Sequence, residues 1–112
     1  MAEIEVREFL DNAGRSPYAR WFERLNAVAA AKVATGVYRL ALGNFSNVKG
    51  VGSGVFETRI DFGAGYRVYF GKDGDSVVIL VGGSTKKDQQ AAIVAAIRTW
   101  TAYKAAKRAR RK

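Results

Sequence analysis

Between residues 54 and 70, GVFETRIDFGAGYRVYF, apolar and polar positions alternate with period two, which predicts two short strands joined by the glycine turn DFGAG. Phe56, Thr58, Ile60 and Phe62 fall on one face of the first strand, and Glu57, Arg59 and Asp61 on the other. In the second strand Tyr66, Val68 and Phe70 share a face, and Arg67 and Tyr69 share the opposite one. Residues 71–75, GKDGD, then predict a hairpin turn. Residues 76–81, SVVILV, are apolar on both faces and predict a strand that is covered on both sides or paired on both edges, ending at Gly82-Gly83-Ser84.

The flanking segments follow other periods. Residues 3–9 alternate charged and apolar positions as a strand does, and Asn12 and Gly14 break the pattern. Ser16-Pro17 reads as an N-cap followed by proline at the first helical position, where its missing N–H has no partner to lose. Tyr18, Trp21, Phe22 and Leu25 then recur at i, i+3, i+4 and i+7, a short amphipathic helix. Asn26 caps a second helix over residues 27–42, with Val33, Val37, Leu40 and Ala41 as its apolar stripe and Gly43-Asn44 as its stop. Residues 43–54 read as a loop of Gly, Asn and Ser. A last helix is expected from about Lys87, capped by Thr85 or Asp88, with Ile93, Ala96, Ile97, Trp100 and Tyr103 inward. The order β-α-α-β-β-β-α predicts an α+β fold, one small sheet with helices packed on it.

A chain of 112 residues with 48% hydrophobic residues predicts one domain with one modest core. The absence of cysteine removes a disulfide framework and a zinc–thiolate site from consideration and fits a reducing cytoplasm. The charged N-terminus does not resemble a secretory signal, and no apolar stretch is long enough to span a membrane. The net charge of +9 is the feature that narrows function most. Residues 104–112, KAAKRARRK, hold six of the positive charges and no negative one, leaving 13 basic against 10 acidic residues in the body. The domain is therefore placed at residues 1–103, with 104–112 as a basic tail. Such a balance favours a polyanionic partner, whether RNA, DNA, ribosome or an acidic protein; the plain alternative for the tail is a solvated end.

The polar face of the central strands gathers Glu57, Arg59, Arg67 and Tyr69. Guanidinium groups bind phosphate through parallel N–H bonds, so Arg59 and Arg67 suit the stabilisation of a phosphoryl group. Glu57 is a candidate general base, Lys86 or Lys87 a candidate to hold phosphate or assist a leaving group, and Tyr69 a candidate to stack on a base. Lys49, in the glycine-rich loop, is a further candidate for RNA contact. The competing reading makes the same charges ordinary cross-strand ion pairs, each contributing a few tenths of a kcal/mol. Trp21, Phe22 and Trp100 stand at helical spacing and are assigned to the core.

The stretch 40–70, LALGNFSNVKGVGSGVFETRIDFGAGYRVYF, together with the order of elements, resembles the RelE/ParE superfamily of bacterial toxins, and within it the HigB-like addiction module killer proteins. The resemblance covers roughly residues 4–103. It implies a RelE/ParE-like α+β domain, a small antiparallel sheet with helices packed on one face and the catalytic groups on the open face. It also implies the toxin of a type II toxin–antitoxin system that cuts mRNA on the ribosome without metal or other cofactor, in the cytoplasm, through attack of a 2′-hydroxyl that leaves a cyclic phosphate. The implied partners are mRNA, the ribosome and a helix-turn-helix antitoxin, in a homodimer or a toxin–antitoxin heterocomplex. By the resemblance Arg67 falls on the family's phosphate-contacting arginine, Arg59 and Glu57 on two basic positions of which Glu57 is a departure, and Lys86 and Lys87 near the basic cluster after the last strand. Taken with the reading of the residues, Arg67, Arg59, Glu57 and Lys86 are the catalytic candidates, and Lys49, Tyr69 and Lys87, with Arg108 and Arg110 of the tail outside the resemblance, the RNA-binding ones. The chain has no histidine and no tyrosine where RelE-type toxins begin their last helix, so the acid and base depart from that pattern. Two alternatives stand beside it: a non-enzymatic ParE-like gyrase inhibitor, and a catalytically decayed regulator that binds nucleic acid.

Overall fold

A computed structural model describes residues 3–110. The elements run β1 (Glu5–Glu8), α1 (Pro17–Phe22), α2 (Ala27–Ala41), β2 (Val48–Gly52), β3 (Val55–Ile60), β4 (Tyr66–Lys72), β5 (Val77–Thr85), a 3₁₀ turn (Lys86–Asp88) and α3 (Gln89–Arg110). The architecture is α+β, as the hydrophobic pattern predicts. The caps are those expected: Ser16 Oγ accepts from the Ala19 N–H at 3.0 Å, Pro17 follows it, and Asn26 Oδ1 accepts from the Ala29 N–H at 2.9 Å.

The five strands form one sheet in the order β1-β5-β4-β3-β2. It is mixed rather than antiparallel, because β1 lies parallel to β5 with Glu5 opposite Val77. The two-helix connection after β1 carries the chain across before it returns, and parallel neighbours need such a crossover. β5 is paired on both edges, which accounts for its apolar residues on both faces. It also runs on to Thr85 instead of ending at residue 82. Between Leu80, opposite Phe70, and Gly82, opposite Tyr69, Val81 is an extra residue, and this bulge keeps the strand in register past the glycines.

The expected loop at 43–54 contains a strand. β2 pairs with β3, setting Lys49 opposite Glu57 and Gly50 opposite Phe56. Its composition hid it, because VKGVG has too few large side chains to show a period. Pairing through backbone groups needs none.

The helices cover both faces of the sheet, not one. On the first face Tyr18 of α1 and Val33 and Leu40 of α2 pack with Ile60, Val68, Phe70, Val78 and Leu80. On the second, Ala96 and Trp100 of α3 pack with Val55, Tyr69, Ile79 and Val81. The period-two alternation of β3, β4 and β5 thus feeds two cores. Two glycines let a tryptophan settle on each face. A Cβ on Gly71 lies 2.4 Å from the Trp100 ring, and one on Gly83 lies 2.2 Å from the Trp21 ring. α3 continues without a break through the residues assigned to the tail as far as Arg110. Asp73, at the β4–β5 turn, receives the Tyr103 hydroxyl at 2.5 Å and pairs with Lys107.

The close approaches predict that Gly71→Ala and Gly83→Ala each destabilise the fold by about 1–3 kcal/mol, since the ring must move or the sheet must bend. Urea unfolding of each variant against the unaltered chain measures it. Burial also pushes the Tyr18 phenol up to about 12, with Glu8 adding to the shift. The unfolded phenol ionises near pH 10, so the unfolded chain loses its proton first and stability falls as pH rises from about 10 to 12. Tyr18→Phe is expected to flatten that alkaline loss, of about 2 kcal/mol, in denaturation curves taken at pH 9 and pH 12.

Candidate functional site

The register across β2, β3 and β4 places the candidate residues in two rows. One row runs Lys49, Glu57, Tyr69 and Gly82. The next runs Arg59, Arg67 and Ser84. All lie on the face that α3 covers, so this face is not open along its whole length. In the first row Glu57 and Tyr69 are sealed beneath the start of α3, while Lys49, on the edge strand β2, stays exposed; in the second row Arg59 reaches the surface and Arg67 and Ser84 are buried.

Glu57 shows how complete the seal is. It has no exposed surface. Gln89, the first residue of α3, donates its amide Nε2 to Glu57 Oε1 at 2.9 Å and to Oε2 at 3.3 Å. Lys49 Nζ stands 3.7 Å from Oε2, and Arg67 Nε 3.7 Å from Oε1. A buried carboxylate needs such neighbours, because an uncompensated charge in the interior costs several kcal/mol. The geometry makes Glu57 a holder of Arg67 and Lys49 and keeps it from reaching a substrate proton as a general base. Tyr69 is also fully buried, with its hydroxyl 3.0 Å from Ser84 Oγ. Burial raises its pKa, with the Glu57 charge acting in the same direction and Ser84 and Arg67 opposing it. It does not stack on a base from this position, because α3 and the sheet enclose it.

The second row is different. Arg59 and Arg67 stand directly opposite each other on adjacent strands. Like charges in that relation repel. Arg59 is exposed, while Arg67 keeps only 7% of its surface and its buried Nε has no hydrogen-bond partner. Both line a cleft of about 340 Å³ together with Lys86, Asn47, Asp61 and Gly65. The backbone fixes the cleft's walls: the Lys86 N–H donates to the Gly65 carbonyl at 2.7 Å, tying the β3–β4 turn to the 3₁₀ turn, and the Arg59 N–H donates to the Asn47 carbonyl at 3.2 Å. Three cations against one carboxylate, two of them on rigid strands, make an anion site suited to a phosphate oxygen.

The structure therefore brings Arg59, Arg67 and Lys86 together, sets Glu57 behind them, and leaves Lys49 exposed on the edge strand outside the cleft. Lys87 is exposed on the 3₁₀ turn and does not line this cleft. Arg108 and Arg110 are exposed at the far end of α3, about 30 Å along the helix from Gln89 at about 1.5 Å per residue. They form no part of the cleft. Arg111 and Lys112 lie outside the described residues. Two contributors have no role that the sequence pattern assigns. Alternation places Asp61 on the polar face and says no more, yet it is the carboxylate that lines the cleft. Gln89 carries the bond that fixes Glu57, and nothing in its neighbourhood on the chain signals it. Among the described residues no three acidic side chains are grouped as a metal ion requires.

No protein-family model matches the chain. It is 44% identical over 70 residues to an uncharacterized protein of Haemophilus influenzae, a match that spans 62% of this chain and 71% of that relative. At that identity and coverage, the chain belongs to the family of this Haemophilus influenzae protein.

Proposed function

We propose that this protein is a ribonuclease of the RelE/ParE type, the toxin of a bacterial toxin–antitoxin pair, which uses the Arg59–Arg67–Lys86 cleft to bind and cut mRNA on the ribosome. The observation that carries the reading is the opposed pair Arg59 and Arg67. Two arginines at directly opposed positions of adjacent strands, lining one cleft with Lys86, concentrate positive charge that an anion in the cleft offsets. The resemblance of residues 40–70 to the HigB-like toxins supports the choice of RNA. The succession of β1, two helices, the antiparallel strands and a last helix is compatible with the RelE plan. A cytoplasmic location follows from the same reading.

The chemistry proceeds as a transfer within the RNA. The 2′-oxygen bonds to phosphorus while its proton passes to the Asp61 carboxylate. The bond from phosphorus to the 5′-oxygen breaks as the Lys86 ammonium gives that oxygen a proton, leaving a cyclic phosphate. Arg59 and Arg67 hold the phosphoryl oxygens as charge gathers on them. Asp61 replaces Glu57 as base because it lines the cleft, whereas Glu57 is enclosed. A cleft of this charge needs covering when the toxin is silent, and an acidic segment of a helix-turn-helix antitoxin suits it.

The burial of Glu57 and Tyr69 favours one second reading, a protein of the same plan that does not cut RNA, either a gyrase inhibitor or a regulator that holds nucleic acid in the cleft. Cleavage of mRNA in a purified translation system, with gyrase supercoiling as the control, separates the two. On the ribonuclease reading, Arg59→Ala and Arg67→Ala each lower cleavage about 100-fold and relieve growth arrest in a bacterial host. Arg59 is exposed, so a well-folded Arg59→Ala protein that still arrests growth fully would falsify the assignment. Asp61→Asn is expected to slow single-turnover cleavage by about 10²–10⁴-fold with RNA affinity retained. Glu57→Gln is expected to act on stability instead, lowering the urea midpoint by weakening its hold on Arg67 and Lys49.

A further inference from the structure

A second cavity adjoins the cleft. It has a volume of about 280 Å³ and lies between α2 and the end of β3. Asn47, Arg59, Ile60 and Asp61 line both cavities, so the two meet along one rim with Arg59 on the border. The size is close to the lower end, roughly 300 Å³, of clefts that hold small molecules.

Its far wall is α2. Lys32, Gly36 and Arg39 stand at i, i+4 and i+7, on one face of the helix. Gly36 is where the helix presses onto the strand: a Cβ there lies 2.8 Å from Ile60 Cγ1. The two cations flank that point of packing and both line the cavity. Lys32 Nζ sits 5.4 Å from the centre of the Phe62 ring, which is also part of the lining. Neither Lys32 nor Arg39 has a carboxylate partner among the ion pairs of the described residues. The rest of the lining includes the amides of Asn44 and Asn47. Cations beside amides and an aromatic ring match what single-stranded RNA presents: phosphate, base edge and base face.

We infer that the α2 cavity is a second nucleotide subsite, which holds the nucleotide adjacent to the one whose phosphate lies on the Arg59–Arg67 pair. The inference rests on the RNA reading proposed above and extends it. Lys32 and Arg39 hold the neighbouring phosphate, and Asn47, shared by both cavities, meets a base edge. The protein thus takes an extended strand running from Lys86 past Arg59 to α2.

The test uses uncleavable 2′-fluoro oligoribonucleotides, a dinucleotide and a hexanucleotide, with binding followed by fluorescence anisotropy. The variants are the pair Lys32→Ala with Arg39→Ala and, as a charge-matched control, Arg24→Ala with Arg98→Ala, which line neither cavity. All four side chains are exposed, so circular dichroism is expected to show unchanged folding. The first pair is expected to weaken the hexanucleotide at least 10-fold, to leave the dinucleotide within 2-fold, and to lower the salt slope by about 0.7 for each phosphate no longer neutralised. The control is expected to change neither. Equal losses on both lengths, or a hexanucleotide affinity no lower than the control's, overturn the second subsite while leaving the first cleft standing. Failure of the unaltered protein to bind either oligonucleotide overturns the second subsite, while mRNA cleavage in the purified translation system decides the ribonuclease reading separately. Preference for DNA over RNA of the same sequence also overturns the assignment of the subsite to RNA.

Discussion

Glu57 has no exposed surface, and the way its charge is met organises the candidate site. Its neighbours come from every element around it: Lys49 from β2, Arg67 from β4 and Gln89 from the start of α3. Removing one partner of a buried pair leaves an uncompensated charge and costs roughly 3–5 kcal/mol, so the arrangement is stiff. Through Gln89 it sets where α3 begins, and through Arg67 it sets where the guanidinium can lie. The cleft is therefore built on strands held from behind, which suits a site that must present fixed positive charge.

The sheet supplies the second constraint. Because side chains alternate, β3, β4 and β5 send residues to two cores, and each face has its own helices and its own tryptophan. Trp21 and Trp100 close on the sheet where Gly83 and Gly71 leave room. α3 then covers the polar row containing Glu57 and Tyr69 and stops short of the row containing Arg59 and Arg67. The same helix that completes the second core thereby decides which charges are structural and which face the cleft. Its basic end is held by Lys107 and Tyr103 to Asp73 at the opposite end of the sheet, away from the cleft. Any polyanion held there is held separately from one on Arg59 and Arg67.

Local pattern alone determined much of this protein. The caps at Ser16 and Asn26, the stripes of α2 and α3, the faces of β3 and β4 and the central place of β5 were all legible, because each depends on the period of side chains within one element. That Arg59 and Arg67 share the polar face of two strands joined by a short turn was legible too, whereas their directly opposed register was not. Tertiary structure decided the rest. β2 was invisible because its bonds are between backbone groups and its glycines carry no pattern. The parallel place of β1 and the second covered face depend on which elements meet, which no window of sequence states. For the same reason Glu57 and Tyr69 read as site residues yet lie buried, since the helix that encloses them starts 32 residues beyond Glu57 in the chain, at Gln89. Asp61 and Arg59 remain accessible because they stand at the end of β3, beyond the reach of that cover.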